Sequence, residues 1–182
     1  MAIDTMRIIE RYYTPGTPLY DVLVTHSRQV AELTLTLCRR LESRGVAIDT
    51  EFAFEAAMLH DIGICRVDAP SIHCHGTERY ICHGILGREM LDSIGLPRHG
   101  LVCERHTGTG ITRQQIERPQ LPLPPADYVP VTEEEQIVCY ADKFYSKSHP
   151  DRVLTVEQTA QSLARFGQEG VEKFMAWASR YE

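Results

Sequence analysis

The string His60-Asp61-Ile62-Gly63 is flanked along the chain by four further His or Asp residues, His26, His83, His106 and Asp142. Each of these elements lies on or at the end of its own apolar-striped segment. No other feature restricts the fold as strongly, because a chain that buries these six side chains together must bring five segments to one point. An adjacent His and Asp offer one neutral imidazole nitrogen and one carboxylate, and the second carboxylate oxygen can serve a second metal ion. Mixed imidazole and carboxylate donors suit Fe, Mn, Zn or Co, whereas an all-oxygen set suits Mg or Ca. A single His on an apolar helix face is more often a core residue bonded to a carbonyl, and a single inward Asp is ordinarily a cap or an ion-pair partner. Six together shift the balance. Without metal they need six separate hydrogen-bond solutions, and one dinuclear site satisfies them all.

The segments read as helices. Leu19, Leu23, Val30, Leu33, Leu37 and Leu41 form an amphipathic stripe that includes His26. A second helix is expected from 50 to about 62, with Ala53, Ala56 and Ala57 leading to His60 and Gly63 ending it in the left-handed conformation. A third starts near His83, carries Leu86, Met90 and Ile94, and has Gly95 beyond its end. Gly84 and Gly87 allow a close approach beside His83. A fourth opens at Pro97 and runs to His106. A capping box over 132–135 announces the fifth, which carries Ile137, Val138 and Ala141 to Asp142. The expectation is an all-α fold, a single-domain helical bundle with the site in its interior. It divides into an N-terminal segment (1–18), the ligand-bearing domain (19–150) and a C-terminal helical extension (151–182) packed on it.

The remaining stretches are less regular. Residues 64–80 read as a loop across the site mouth. Residues 118–131, with Pro119, Pro122, Pro124, Pro125 and Pro130, exclude helix and read as an extended segment that wraps the fold or forms part of a lid. The tail has a capping box over 155–158, then two helices broken near Gly167 and Gly170. Its apolar face, Phe174, Trp177, Ala178 and Tyr181, packs on the core or makes a homodimer contact.

With 182 residues and 43% hydrophobic content, the chain can bury a core without staples. Six cysteines without a CxxC pair read as reduced, mostly buried thiols. No basic stretch precedes an apolar run and no apolar run reaches a membrane span, so the expectation is a cytoplasmic protein with no membrane partner. A net charge of −6 counts against a nucleic-acid polymer as partner. An anionic substrate therefore needs a local positive field, from bound metal and from Arg66, Arg105, Arg113, Lys143 or Lys147. Of these, Lys143 beside Asp142 ranks first and the others default to solvated surface charges. His99 and His149 are expected to face solvent.

Four strings extend the pattern: Ala57-Met58-Leu59-His60-Asp61-Ile62-Gly63, His83-Gly84-Ile85-Leu86-Gly87, Glu104-Arg105-His106-Thr107-Gly108-Thr109-Gly110-Ile111-Thr112 and Ile137-Val138-Cys139-Tyr140-Ala141-Asp142-Lys143. In this order they resemble the HD superfamily of metal-dependent phosphohydrolases, in its six-ligand, two-metal subgroup. The chain is most similar to the small stand-alone HDIG hydrolases of bacteria and archaea, and its His-Thr-Gly segment also resembles the branch that splits dinucleoside tetraphosphates symmetrically. The Gly-Tyr-Pro signature of the cyclic-dinucleotide phosphodiesterases is absent. A basic residue directly after the HDIG string, common in relatives, is replaced here by Ile64 and Cys65, with Arg66 following.

The resemblance implies two divalent transition-metal ions, Fe or Mn first, with Zn, Co, Ni or Mg as alternatives. It implies His26, His60 and Asp142 on one metal, His83 and His106 on the other, and Asp61 bridging both. It further implies hydrolysis of a phosphate ester or anhydride in a small phosphorylated metabolite such as a nucleotide, by water activated between the metals. Asp61 and Lys143 would be the catalytic side chains, with Arg66, Arg105 and His75 assigned to substrate contact. The rival readings are a di-iron oxygenase of the same fold and a nucleotide-sensing module without turnover.

Overall fold

The computed structural model describes residues 2–117 and 120–182. A short α1 (Thr5–Ile9) leads to α2 (Pro18–Ser43), which starts where Thr17 accepts from the Tyr20 amide and Pro18 fills the first turn. The buried side chains of α2 include Leu23, His26, Val30, Leu37 and Leu41, the spacing of one helical face. Then come α3 (Thr50–Leu59), α4 (His83–Asp92), α5 (Pro97–Arg105), α6 (Arg113–Glu117), α7 (Glu133–Asp142), α8 (Val156–Ala164) and α9 (Gln168–Tyr181). The all-α expectation holds. α2, α3, α4, α5 and α7 converge on one interior and carry the six candidate ligands, His26 within α2 and the others at or just beyond helix ends.

The core has two main parts. One joins α1, α2, α3, α4 and α5 through Ile9, Leu23, Val30, Leu59, Ile62, Leu91 and Val102. The N-terminal segment belongs to it, since Tyr13 is buried and its hydroxyl donates to the Ile62 carbonyl at 2.6 Å. The other part holds Leu37, Leu41, Ile137 and Tyr140 against Phe174, Trp177, Ala178 and Tyr181. The Tyr140 and Phe174 rings stack with centroids 5.0 Å apart. Burying each such side chain contributes about 1.5–3 kcal/mol, so α9 is bound to its own chain's core and its apolar face is consumed there.

Several local expectations change. The second ligand helix ends at Leu59, and a 3-10 turn, Ile62–Arg66, follows. Residues 64–80 are not a plain loop: β1 (Val67–Ala69) pairs antiparallel with β2 (Cys74–His75) and parallel with β3 (Glu78–Arg79). The box at 132–135 is half formed, because Thr132 accepts from the Glu135 amide while the Glu135 carboxylate turns to the Val131 amide and to Arg105. The box at Thr155 and Gln158 is complete. The tail breaks at Gly167 (φ +121°), and Gly170 lies inside α9. In the proline-rich stretch, Leu123 and Tyr128 pack on Ile116, and Tyr128 and Ile111 exchange backbone hydrogen bonds, so this segment wraps the fold. Pro119 lies outside the described residues. An unanticipated hairpin, β4 (Tyr145–Ser146) and β5 (His149–Val153), follows α7. Among the described residues no helix is long and apolar enough to cross a membrane.

Candidate metal centre

All six side chains meet in the interior, each no more than 8% exposed. They fall into two groups that share Asp61: His26, His60, Asp61 and Asp142, and Asp61, His83 and His106. Within each group the ligand atoms lie within 4.8 Å of one another. His26 Nε2 is 2.9 Å from Asp142 Oδ1 and 3.2 Å from Asp61 Oδ2, and His60 Nε2 is 3.1 Å from Asp61 Oδ2. On the other side of Asp61, His83 Nε2 and His106 Nε2 are each 3.4 Å from Oδ1.

Three histidines are set by one local device. His60 Nδ1 lies 2.6 Å from the Ala57 carbonyl, His83 Nδ1 2.7 Å from that of Tyr80, and His106 Nδ1 2.7 Å from that of Cys103. A carbonyl only accepts, so each Nδ1 carries a proton; the neutral His83 and His106 rings turn an Nε2 lone pair into the cluster, and His60 presents its Nε2 there in the same orientation. His83 Nε2 and His106 Nε2 then face each other at 3.1 Å with no proton between them. Asp61 Oδ1 and His60 Nε2 also lack a well-aligned hydrogen-bond partner, and Asp61 Oδ2 is faced by the Lys147 ammonium. Lone pairs converging on shared points, buried and unsatisfied, are what a cation resolves. The residues therefore fit a divalent metal site with two positions joined by Asp61.

The electrostatics agree. Burial works against the charge of Asp61, yet Lys147 and His60 outweigh it and hold the carboxyl well below the usual carboxylate range. Burial opposes Asp142 likewise, and Lys143 and His26 hold it low. His60 is penalised by burial but raised to about 9 by Asp61 and Asp142. Burial pushes His83 down to about 3 and lowers His106 as well. The centre thus calls for positive charge beside the carboxylates and keeps the second pair of imidazoles neutral, the state that ligates metal.

Two glycines bring the elements this close. A Cβ on Gly63 would lie 2.1 Å from the His83 carbonyl oxygen and 2.5 Å from the Gly87 nitrogen, and one on Gly84 would lie 2.5 Å from the Cys103 carbonyl oxygen. Gly63 is therefore required by backbone contact with α4 and does not adopt the left-handed conformation expected of a helix stop.

Lys143 Nζ reaches Asp142 Oδ2 at 2.5 Å and the His106 carbonyl at 3.0 Å, and so steadies two ligands at once. Lys147, a default surface charge by sequence, is buried by the hairpin, with its ammonium 2.5 Å from Asp61 Oδ2. Tyr80, its ring tilted 30° against that of His83 with centroids 4.7 Å apart, lines the same mouth and was given no role by sequence. Only the spacing of Lys147, five residues past Asp142, could have hinted at it.

The other assigned contacts are not brought to the centre. Arg66 pairs with Glu89 at 3.1 Å, Arg105 is held by buried Glu135 at 2.9 and 3.0 Å, and His75 is exposed on β2 opposite Asp68. His99 is a correction: it is buried, not solvent-facing, with Nε2 3.1 Å from Glu55 and its ring edge-on to Phe52. His149 is exposed as expected.

A cleft of about 990 Å³ opens from Tyr80, Asp142, Lys143 and Lys147 outward between the hairpin and α8. The six cysteines are free thiols, and none belongs to either ligand group.

Comparison with known proteins places this arrangement. The chain is 38% identical over 121 residues to an uncharacterized protein of Methanocaldococcus jannaschii, covering 66% of this chain and 64% of that one. It is 30% identical over 157 residues to a tRNA (cytidine(56)-2'-O)-methyltransferase of Thermoplasma volcanium, and 31% over 139 residues to the same-named enzyme of Picrophilus torridus. These alignments cover 86% and 76% of this chain but only 40% and 35% of the methyltransferases. No solved structure matches the chain. A family model described as HD domain matches residues 23–146, a span that runs from α2 to the hairpin and contains all six clustered side chains, and the chain belongs to this family.

Proposed function

We propose that this protein is a metal-dependent phosphohydrolase acting on a phosphate ester or anhydride of a small metabolite, a nucleotide being the leading class. The observation that carries this reading is the pair of donor groups sharing Asp61, paired with two mostly buried ammonium groups that line one cleft together with Asp142. Two divalent cations in these groups would supply Lewis-acid polarisation of a phosphoryl oxygen and an activated water near neutral pH. His60, His83 and His106 would hold them through Nε2, kept in that tautomer by the carbonyls of Ala57, Tyr80 and Cys103. Lys143 positions Asp142 and the His106 carbonyl. Lys147 stands where an incoming phosphoryl group would meet it and offers charge-assisted hydrogen bonds to developing negative charge. Fe or Mn is the preferred metal on donor chemistry.

The methyltransferase names describe proteins more than twice as long as the part matched, so that activity is not proposed for this chain. The small phosphorylated substrate, the lack of a nucleic-acid polymer or membrane partner, the possible homodimer and the cytoplasmic location belong to this proposal. A di-iron oxygenase would use the same donor set, but the basic cleft favours an anionic substrate. The test is a screen of phosphorylated compounds with Mn, Fe, Co and Mg, run with and without O₂, on wild type and Asp61→Ala. Wild type should release phosphate and Asp61→Ala should lose at least ~10³-fold of the turnover. Activity that survives Asp61→Ala, or O₂ consumption without phosphate release, overturns the reading.

A further inference from the structure

The cleft is far larger than one phosphoryl group requires, and about 990 Å³ is the scale of a site for a whole small metabolite. Its charge is opposite to that of the chain. In a protein of net charge −6, the wall carries Lys143, Lys147, Arg152 and Arg165 and only one carboxylate, Asp142, itself a member of the donor cluster. Arg152 lies on β5 and Arg165 follows the last turn of α8. Arg66, Arg88, Arg98, Arg105 and Arg180 each pair with a carboxylate. Among the described residues Arg152 and Arg165, like surface arginines such as Arg28 and Arg39, have no acidic partner, and Arg165 hydrogen-bonds Ser162 and lies 5.2 Å from the Phe166 ring centroid.

A second observation is independent of charge. Thr159 lines the same cleft and is 1% exposed, and its hydroxyl has no hydrogen-bond partner. A buried hydroxyl left unsatisfied beside a cavity wall is able to take a water or a ligand oxygen as its partner. The hairpin links the two ends of the cleft: Lys147 at its turn reaches Asp61, and Arg152 lies on β5 roughly 10 Å along the strand from His149.

We propose that the outer cleft is a subsite for a second anionic group of phosphate type, held by Arg152 and Arg165, so that the substrate of this centre carries at least one phosphate beyond the one attacked. A guanidinium fork matches phosphate oxygens in pairs, which a lysine does not. The shared chemistry is a chain of phosphates, as inorganic polyphosphate or as part of a nucleotide. Phe166, 74% exposed at the rim with the Arg165 guanidinium 5.2 Å from its ring centroid, is the aromatic side chain beside which a nucleotide base would lie.

The inference rests on the phosphohydrolase reading, and the experiment separates the two. Metal-reconstituted wild type and the double variant Arg152→Ala/Arg165→Ala are assayed with phenyl phosphate, which has no second anion, and with tripolyphosphate and ATP. The ratio of the KM for tripolyphosphate to that for phenyl phosphate should rise at least ~10-fold in the variant, with kcat for tripolyphosphate within about 2-fold of wild type. The Arg152→Lys/Arg165→Lys variant should recover only part of the loss, since charge returns without the fork. Phe166→Ala raising KM for ATP but not for tripolyphosphate identifies the nucleotide source, and an effect on neither identifies the bare polyphosphate chain. An unchanged KM ratio in the double Ala variant overturns the subsite while leaving the phosphohydrolase reading intact. If wild type hydrolyses none of the three compounds, the phosphohydrolase reading falls. Calorimetric binding of tripolyphosphate then decides the subsite, and equal affinity in wild type and the double Ala variant overturns it.

Discussion

Gly63→Ala tests whether the centre depends on a single backbone contact. The added Cβ would stand 2.1 Å from the His83 carbonyl oxygen and 2.5 Å from the Gly87 nitrogen, neither of which can swing aside as a side chain would. Restoring an ordinary contact of 3.4 Å requires the 3-10 turn after Asp61 and the first turn of α4 to part by about 1.3 Å. Metal–ligand distances tolerate about 0.2 Å, so a shift of that size takes His83 out of range of any ion that Asp61 and His106 still hold. Overpacking of this kind costs roughly 1–3 kcal/mol, and the lost glycine entropy in the unfolded chain returns about 0.4–1. The net cost is up to about 2.6 kcal/mol, or a fall in Tm of up to roughly 10 °C for a chain of this size.

Calorimetry in chelator reads the packing cost, and metal analysis after reconstitution reads the site. The expected result is a lower Tm in chelator and a metal content reduced from about two ions to about one. Gly95→Ala is the control, because nothing lies within 4 Å of the added carbon, and its cost comes from the glycine-favouring backbone (φ +81°) alone. It should cost stability without costing metal. A Gly63→Ala protein that keeps both ions and the wild-type Tm in chelator would refute the claim that this contact sets the position of His83.

Purified or reconstituted wild type should hold close to two transition-metal ions per chain. His83→Ala and His106→Ala should each leave about one, since the His26, His60, Asp61 and Asp142 group stays whole; elemental analysis that finds none in wild type ends the dinuclear reading. Chelation should lower the Tm without unfolding the chain, because the apolar clusters are independent of the centre and bound metal at 100 times its Kd contributes only about 2.7 kcal/mol. Circular dichroism showing complete unfolding in chelator would contradict this. His99 supplies a pH effect distant from the centre. Burial lowers its pKa against the opposing pull of Glu55, so the folded chain binds fewer protons than the unfolded one. Its stabilising contribution is present above the unfolded value of about 6.5 and is lost as pH falls below that through the folded pKa. Melting curves from pH 8 to 5 should therefore show a steeper acid-side loss in wild type than in His99→Gln, and parallel curves would disprove it.

What the sequence disclosed was whatever rests on near neighbours. Thr17 with Pro18, Pro97, and Thr155 with Gln158 mark helix starts because caps act within one turn. The stripe of α2 is visible because burial follows the helical period. Pairing between distant residues left no such trace. His99 meets Glu55 across 44 positions, so a polar residue near an apolar stripe reads as solvated. The hairpin after α7 has a two-residue first strand, a register shift and Pro150 inside β5, so no alternation announces it. Its burial of Lys147 over Asp61 was hidden for the same reason. Gly63 shows how one residue type can answer two needs: the sequence suggested conformational freedom, and the fold uses the missing side chain.

The metal centre itself lies between these cases. That six donors exist was readable from residue type and order, but that they stand ready to bind was not. Their readiness follows from where the histidines sit. His60 and His106 each cap the end of a helix, so each finds a carbonyl three residues back to which Nδ1 donates, and His83, which follows a 3-10 turn, shares the Tyr80 carbonyl between its backbone amide and Nδ1. At a helix end the last carbonyls lack partners within the helix, so one bond satisfies a backbone acceptor and fixes an imidazole tautomer together. The donors are therefore oriented by helix termination before any ion arrives. Moving one of these histidines a single turn inward would keep its residue type and its burial but lose the free carbonyl, and with it the directed lone pair.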